Sequence, residues 1–282
     1  MANFHNDEWI MKRVEEHYKE ALKYFPEDRI VGIFLQGSQN YGLDTENSDI
    51  DTKLIVTPTF NDLAFNLKPV STTHIRENNE HIDFKDIRLM LQTFRKHNIN
   101  FIEILFTPYY ILNPRYEYFW EQLIAKREMI ARSNPLASFK AMRGVALEKY
   151  HALSHPYPSK ADILKIYGYD PKQLHHLVRI DRFMEAFMDD NTYEDCLIPG
   201  ELDSNYLDII KTCPEKLSLD LDKAQQLADY TLELIEKKYT LFTSGWTDEE
   251  IKASKSYKDT EELLDRVQYA IMEEAIRSEL DC

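Results

Sequence analysis

Between Ile30 and Val56 two short runs, the apolar Ile30 to Leu35 and the acidic-headed Asp49 to Val56, flank a polar loop, Gln36 to Ser48, so that Gly37-Ser38 leads across it to Asp49-Ile50-Asp51. Each run has the length of a buried strand. The join cannot be a tight hairpin, because ten residues separate Ser38 from Asp49. The chain must therefore leave one strand through a turn, cross a loop and enter the next strand on an acidic pair. Glycine use sharpens this reading. Only 7 of 282 residues are glycine, well below the usual share of roughly 7%. Three of them, Gly32, Gly37 and Gly42, fall within eleven positions. A chain so sparing with glycine has placed it where backbone must turn or approach a ligand closely.

A strand that ends in Gly-Ser and opens a short helix turns unpaired backbone N–H groups forward, and glycine lets an anion reach them. Asp49 and Asp51 are two apart on an expected strand, Asp49 to Val56, so both carboxylates project from one face. Adjacent carboxylates repel unless a cation neutralises them. Hard oxygen donors without His or Cys favour Mg²⁺ or Mn²⁺. The combination describes a triphosphate cradle beside a site for two divalent ions, suited to in-line displacement at phosphorus.

Elsewhere the periodicity predicts a helix over Asp7 to Phe25, a strand over His81 to Phe84 and a helix over Ile87 to His97; Phe101 to Phe106 fits either a strand or a helix turn. From Tyr116 onward the pattern is almost wholly helical, with candidates at Tyr116 to Met129, Pro135 to Leu153, Pro171 to Met188, Tyr206 to Lys211, Leu221 to Lys238 and Asp259 to Leu280. Leu153 to Ser159 reads as a loop, and the polar stretch Phe242 to Lys258 as a mobile connector. The expectation is an α+β chain: an α/β catalytic domain over residues 1–112, then an all-helical domain over 113–282.

Asp83 is the expected carboxylate on the neighbouring strand His81 to Phe84, its side chain alternating with Ile82 and Phe84. Asp86 and Glu80 are the alternatives, Asp86 having a plainer role as the cap of the helix that begins at Ile87. Glu103, alone in an apolar run, needs a cation, with Arg143 or Arg179 as candidates. Asn98 reads as a helix-end cap. Lys172, His176 and Arg179 are spaced to share one helix face; whether His175 or His176 turns inward is open.

The string GSQNYGLDTENSDID resembles the signature of the DNA polymerase β superfamily of nucleotidyltransferases. Within that superfamily it is similar to the RNA-repair-pathway polymerase-β-like family, which reads roughly Gly-Ser-x-x-Tyr-Gly-Leu and then Ser-Asp-x-Asp. His97 to Pro108, Tyr169 to Arg179 and Asp208 to Lys211 resemble further segments of that family. The chain departs from it at His97 and Ile99, where Gly and Pro are usual, and at Lys53, where Arg is common. The resemblance implies a minimal polymerase-β-like domain with Asp49, Asp51 and Asp83 as catalytic and metal-binding carboxylates. It also implies two Mg²⁺ or Mn²⁺ ions and a nucleoside triphosphate held by Gly37, Ser38, Ser48, Lys172, His176 and Arg179. The acceptor it implies is an RNA end. A protein or small-molecule hydroxyl is the alternative acceptor, and a non-catalytic nucleotide-binding module the alternative class.

Charge bears on the acceptor. The chain carries 34 basic and 49 acidic residues, net −15, which disfavours bulk coating of nucleic acid. From Glu185 onward there are 10 basic and 25 acidic residues, against 24 and 24 before it, and Lys85 to His151 holds 11 basic and 6 acidic. The excess is thus confined to the last third. No export signal or membrane span is evident and a cytoplasmic protein is expected. Cys196, Cys213 and Cys282 have neither disulfide nor zinc spacing.

Overall fold

The computed structural model describes residues 4–157 and 160–281. Packing divides them into two units. One is Pro135–Ile251; the other joins the residues up to Asn134 with those from Lys252 onward.

The second unit is built on a sheet. Asn6 caps α1 (Asp7–Ala21) by accepting the Trp9 amide, and the helix buries Ile10, Val14, His17 and Ala21. It stops short of Phe25, whose amide, like that of Tyr24, closes a turn on Ala21 O. β1 (Ile30–Gln36) and β2 (Asp51–Val56) follow, then α2 (Phe60–Ala64), β3 (Ser71–Ile75), β4 (His81–Asp86), α3 (Ile87–Arg95), α4 (Ile99–Ile102), β5 (Tyr110–Leu112), α5 (Pro114–Ala125) and α6 (Arg127–Arg132). The strand order is β3-β4-β2-β1-β5. β2 and β4 are parallel; the other pairs are antiparallel. One sheet face packs on α1 through Ile33, Leu35, Ile50, Leu54, Ile82 and Phe84. β1 and β5 approach so closely that a Cβ on Gly32 would lie 2.9 Å from Ile111 O. Phe101 to Phe106 resolves as helix: α4 runs into a 3₁₀ turn over Glu103–Leu105.

The first unit is helical, comprising α7 (Pro135–Ala152), α8 (Ala161–Tyr167), α9 (Pro171–Met188), α10 (Tyr193–Leu197), α11 (Glu201–Thr212), α12 (Leu221–Thr243) and most of α13 (Asp248–Ala253). α9 is its centre, packed by α7, α10, α11 and α12. α14 (Lys255–Leu280) then returns to the sheet unit, against α3, α5 and α6.

Three sequence expectations shift here. The division expected after residue 112 falls instead at Pro135, because α5 buries Tyr116, Trp120 and Leu123 and the Trp120 ring lies 4.7 Å from that of Phe34 on β1. The last helix also leaves the helical domain: Arg95 of α3 binds Glu261 at 3.0 Å and Asp265 at 2.5 Å. The stretch expected as a connector, Phe242 to Lys258, is largely helix. Pro158 and Ser159 of the expected loop, and Cys282, lie outside the described residues. Among the described residues no helix is long and apolar enough to cross a membrane.

Candidate active site

β1 ends at Gln36, and Gly37 takes φ 107°, ψ −163°, a conformation that side chains disfavour. A 3₁₀ turn over Ser38–Tyr41 follows, closed by Gly42 at φ 64°. The loop is braced from several sides. Asn40 Nδ2 donates to Leu35 O at 3.1 Å and the Thr107 hydroxyl to Asn40 Oδ1 at 2.6 Å. Gln39 Nε2 donates to Asp49 O at 2.9 Å. The Tyr41 hydroxyl donates to Glu103 Oε2 at 2.6 Å. Tyr41 is thus a partner of this buried carboxylate, while Arg143, one of the two cations expected there, binds both oxygens of Glu236. Asp44 receives the amides of Phe4 and His5, each at 3.0 Å. Ser48 is turned into its own loop, its Oγ accepting the Thr45 amide at 2.8 Å.

The two acidic strands lie side by side. In the β2–β4 register Thr52 faces Ile82 and Lys53 faces Asp83. Thr52 and Ile82 are fully buried, so alternation puts Asp51, Lys53 and Asp83 together on the opposite sheet face. The strand expected from Asp49 begins at Asp51, and Asp49 stands exposed just before it. Asp51 Oδ1 accepts the His81 amide at 3.0 Å, with His81 Nδ1 3.4 Å away.

Of the three candidates for the remaining carboxylate, two have other work. Asp86 caps α3 and grips Arg88 at 2.9 and 2.7 Å. Glu80 is buried among Arg13, His17 and Arg76. Asp83 is left, on the face that carries Asp51. Its Oδ1 accepts the Thr73 hydroxyl at 2.6 Å, and its Oδ2 lies 3.4 Å from both Lys53 Nζ and Gln36 Nε2. Burial would raise its pKa, but Thr73, Lys53 and Gln36 together hold it below the ordinary aspartate value. Lys53 is only 2% exposed, and its ammonium sits 4.0 Å over the Phe101 ring. Burial lowers its pKa, against the pull of Asp83 and Glu103.

The donor set expected for metal fits in part. Asp49 and Asp51 bring hard oxygen ligands to the mouth of β2, as a divalent ion requires. Among the described residues, however, no group of three or more His, Cys, Asp or Glu is placed to hold a metal ion. Asp83, a third ligand in the resembled pattern, has its oxygens engaged by Thr73, Lys53 and Gln36. Lys53, Thr73 and Gln36 are the site residues that sequence reasoning missed. Asp49, Asp51 and Lys53 recur at intervals of two, and that was the available signal for Lys53. Thr73 gave none, being on an exposed edge strand without alternation.

Lys172, His176 and Arg179 belong to α9 of the helical unit. Asp170 caps that helix by accepting the Lys172 amide at 2.9 Å. Lys172 is exposed, and His176 and Arg179 are partly so. His175 is the inward histidine, donating from Nδ1 to Leu207 O at 2.9 Å, and burial lowers its pKa to about 3. Burial and the charges of Arg179, Lys172 and Lys149 hold His176 well below the usual imidazole value.

No family model matches the chain, and no curated protein does. Among solved structures, the chain is similar to a crystal structure described as a nucleotidyltransferase-like protein from Exiguobacterium sibiricum 255-15. The identity is 13%, over 91% of this chain and 89% of that one, with a TM-score of 0.29. At that score too little backbone is shared to carry a conclusion about fold or chemistry.

Proposed function

We propose that the chain is a nucleotidyltransferase, which moves a nucleoside monophosphate from a nucleoside triphosphate to an acceptor hydroxyl and releases pyrophosphate. The observation that supports this is one arrangement. A loop pinned at Gly37 leaves β1 next to two parallel strands that carry Asp51 and Asp83 on one face, with Asp49 exposed at their mouth.

In this reading Gly37 and Ser38 hold the β- and γ-phosphates through backbone N–H groups and the Ser38 hydroxyl. Asp49 and Asp51 are the carboxylates for Mg²⁺ or Mn²⁺, which when bound supplies positive charge to the triphosphate. Asp83 orients the acceptor. A carboxylate offers about four lone-pair directions, so Asp83 can accept the acceptor hydroxyl in addition to its present partners. The acceptor oxygen then forms its bond to the α-phosphorus as the bond to pyrophosphate breaks, its proton passing by way of Asp83 to solvent. Lys172, His176 and Arg179 are proposed as a phosphate-binding stripe on the helical unit, their common helix face being the support. The acceptor proposed is an RNA end, in keeping with the balanced charge before Glu185 and the basic excess between Lys85 and His151.

The test incubates the purified chain with each α-labelled nucleoside triphosphate, Mg²⁺ and pooled RNA, protein and small solutes. Label is expected in RNA, and is lost when Asp49→Asn and Asp51→Asn are combined. Label in protein or solute moves the acceptor to another class. Absence of any transfer overturns the proposal.

A further inference from the structure

The disagreement at Asp83 has a direction. We infer that the site takes one divalent cation, at Asp49 and Asp51, and that the Lys53 ammonium supplies at Asp83 the positive charge a second cation would bring to a three-carboxylate centre. This rests on the nucleotidyl-transfer reading and deepens it.

Lys53 is built in rather than adventitious. The parallel register sets it directly opposite Asp83, with Nζ 3.4 Å from Oδ2. Its side chain is 3% exposed, and its ammonium is covered by the Phe101 ring at 4.0 Å. Phe101 belongs to α4, which thereby covers one side of the ammonium. A buried ammonium needs anionic partners. Asp83 is one, and the buried Glu103 adds its charge. A dication bound by Asp83 would therefore take that partner from Lys53 and meet a like charge that cannot swing away. Thr73 and Gln36 oppose the exchange as well. Both donate to Asp83, each engaging one of the carboxylate's lone pairs.

Mn²⁺ provides a readout independent of turnover. Electron paramagnetic resonance separates a lone Mn²⁺ from an exchange-coupled pair, and the ions of two-metal sites lie roughly 3.5–4 Å apart. The spectra are taken on the full chain with excess Mn²⁺ and the non-transferable α,β-methylene analogue of ATP. A lone-ion spectrum is expected for the wild type and for Asp83→Asn. Lys53→Met, which frees Asp83, is expected to show the coupled pair, and adding Asp83→Asn is expected to abolish it. A coupled pair in the wild type that Asp83→Asn removes overturns the inference and leaves the nucleotidyl-transfer reading standing. A lone ion in Lys53→Met also overturns it. No protein-bound ion in the wild type overturns the reading beneath it. Should Lys53→Met fail to fold, the wild-type and Asp83→Asn spectra decide the matter.

Discussion

Glu80→Gln should destabilise the sheet unit by an amount that depends on pH in a calculable way. Glu80 is 5% exposed. Its Oε2 accepts His17 Nε2–H at 2.9 Å and Arg76 Nη1 at 2.8 Å, and Arg13 binds the same oxygen. The Thr52 hydroxyl meets the other His17 nitrogen at 2.9 Å, which ties this network to the residue between Asp51 and Lys53. Burial would raise the Glu80 pKa, but His17, Asn78 and Arg13 bring it from 4.5 down to about 2. A carboxylate whose pKa is depressed on folding contributes its full stabilisation above the unfolded value, and loses it as pH falls from about 4.5 through about 2. The shift corresponds to about 3 kcal/mol at pH 7, falling to about half of that at pH 3. Glutamine mimics the protonated acid, so the gap between wild type and variant should follow this curve. Urea unfolding in a Trp246→Phe background leaves Trp9 and Trp120 to report the sheet unit alone. A gap of equal size at pH 7 and pH 3, or one below about 1 kcal/mol at pH 7, would refute the reasoning.

Gly37→Ala should cost about 1–2 kcal/mol and weaken binding of the ATP analogue in calorimetry. A Cβ there meets nothing closer than 3.6 Å, so the cost is conformational, from φ 107°. Burial lowers the His97 pKa to about 4 and that of His175 to about 3; both imidazoles should give neutral ¹⁵N shifts at pH 5. Because the unfolded chain takes up those protons near pH 6.5, stability should fall as pH drops from there toward 4. Leu264→Ala removes a fully buried side chain from α14. It should lower the sheet unit's stability by about 2–5 kcal/mol in the Trp246→Phe unfolding assay, since α14 packs on α3, α5 and α6.

Long periodic segments were legible in the sequence because the residues that make a helix amphipathic are local. α9 begins and ends where the pattern places it, between Pro171 and Met188. β1 and β4 were legible too, from apolar residues that face the core. β3 and β5 were not. Ser71–Ile75 is an edge strand with little buried area, and Tyr110–Leu112 has only three residues, all partly exposed; neither carries alternation to read. The destination of α14 was also hidden. Its apolar stripe fixes that it packs on something, but Leu263, Leu264, Val267 and Ile271 do not encode which surface. That choice was made by α3, α5 and α6, more than a hundred residues away.

For the candidate site the missing information was register. Asp83 could be preferred from alternation, but its relation to Lys53 depends on how β4 lies against β2, which no single strand specifies. His97 shows the converse, a departure from the resembled pattern that local geometry explains. It stands where that family usually has glycine, and its φ is 51°, in the region glycine enters freely. A histidine there carries a backbone cost, which its ring helps to offset. The ring is 3% exposed; Nδ1–H donates to Ala131 O at 3.2 Å, and the Ser133 hydroxyl lies 3.3 Å from Nε2. The imidazole therefore fastens the end of α3 to α6, a packing role with no need of a charge. Lys53 differs from His97 in this respect. Both stand at departures from the resembled pattern and both are buried, but His97 is satisfied by neutral partners, whereas Lys53 must stay beside an anion. Burial thus separates the two departures: one exchanges backbone freedom for a packed ring, and the other keeps the positive charge of the usual arginine in a shorter side chain, buried beside a carboxylate of the site.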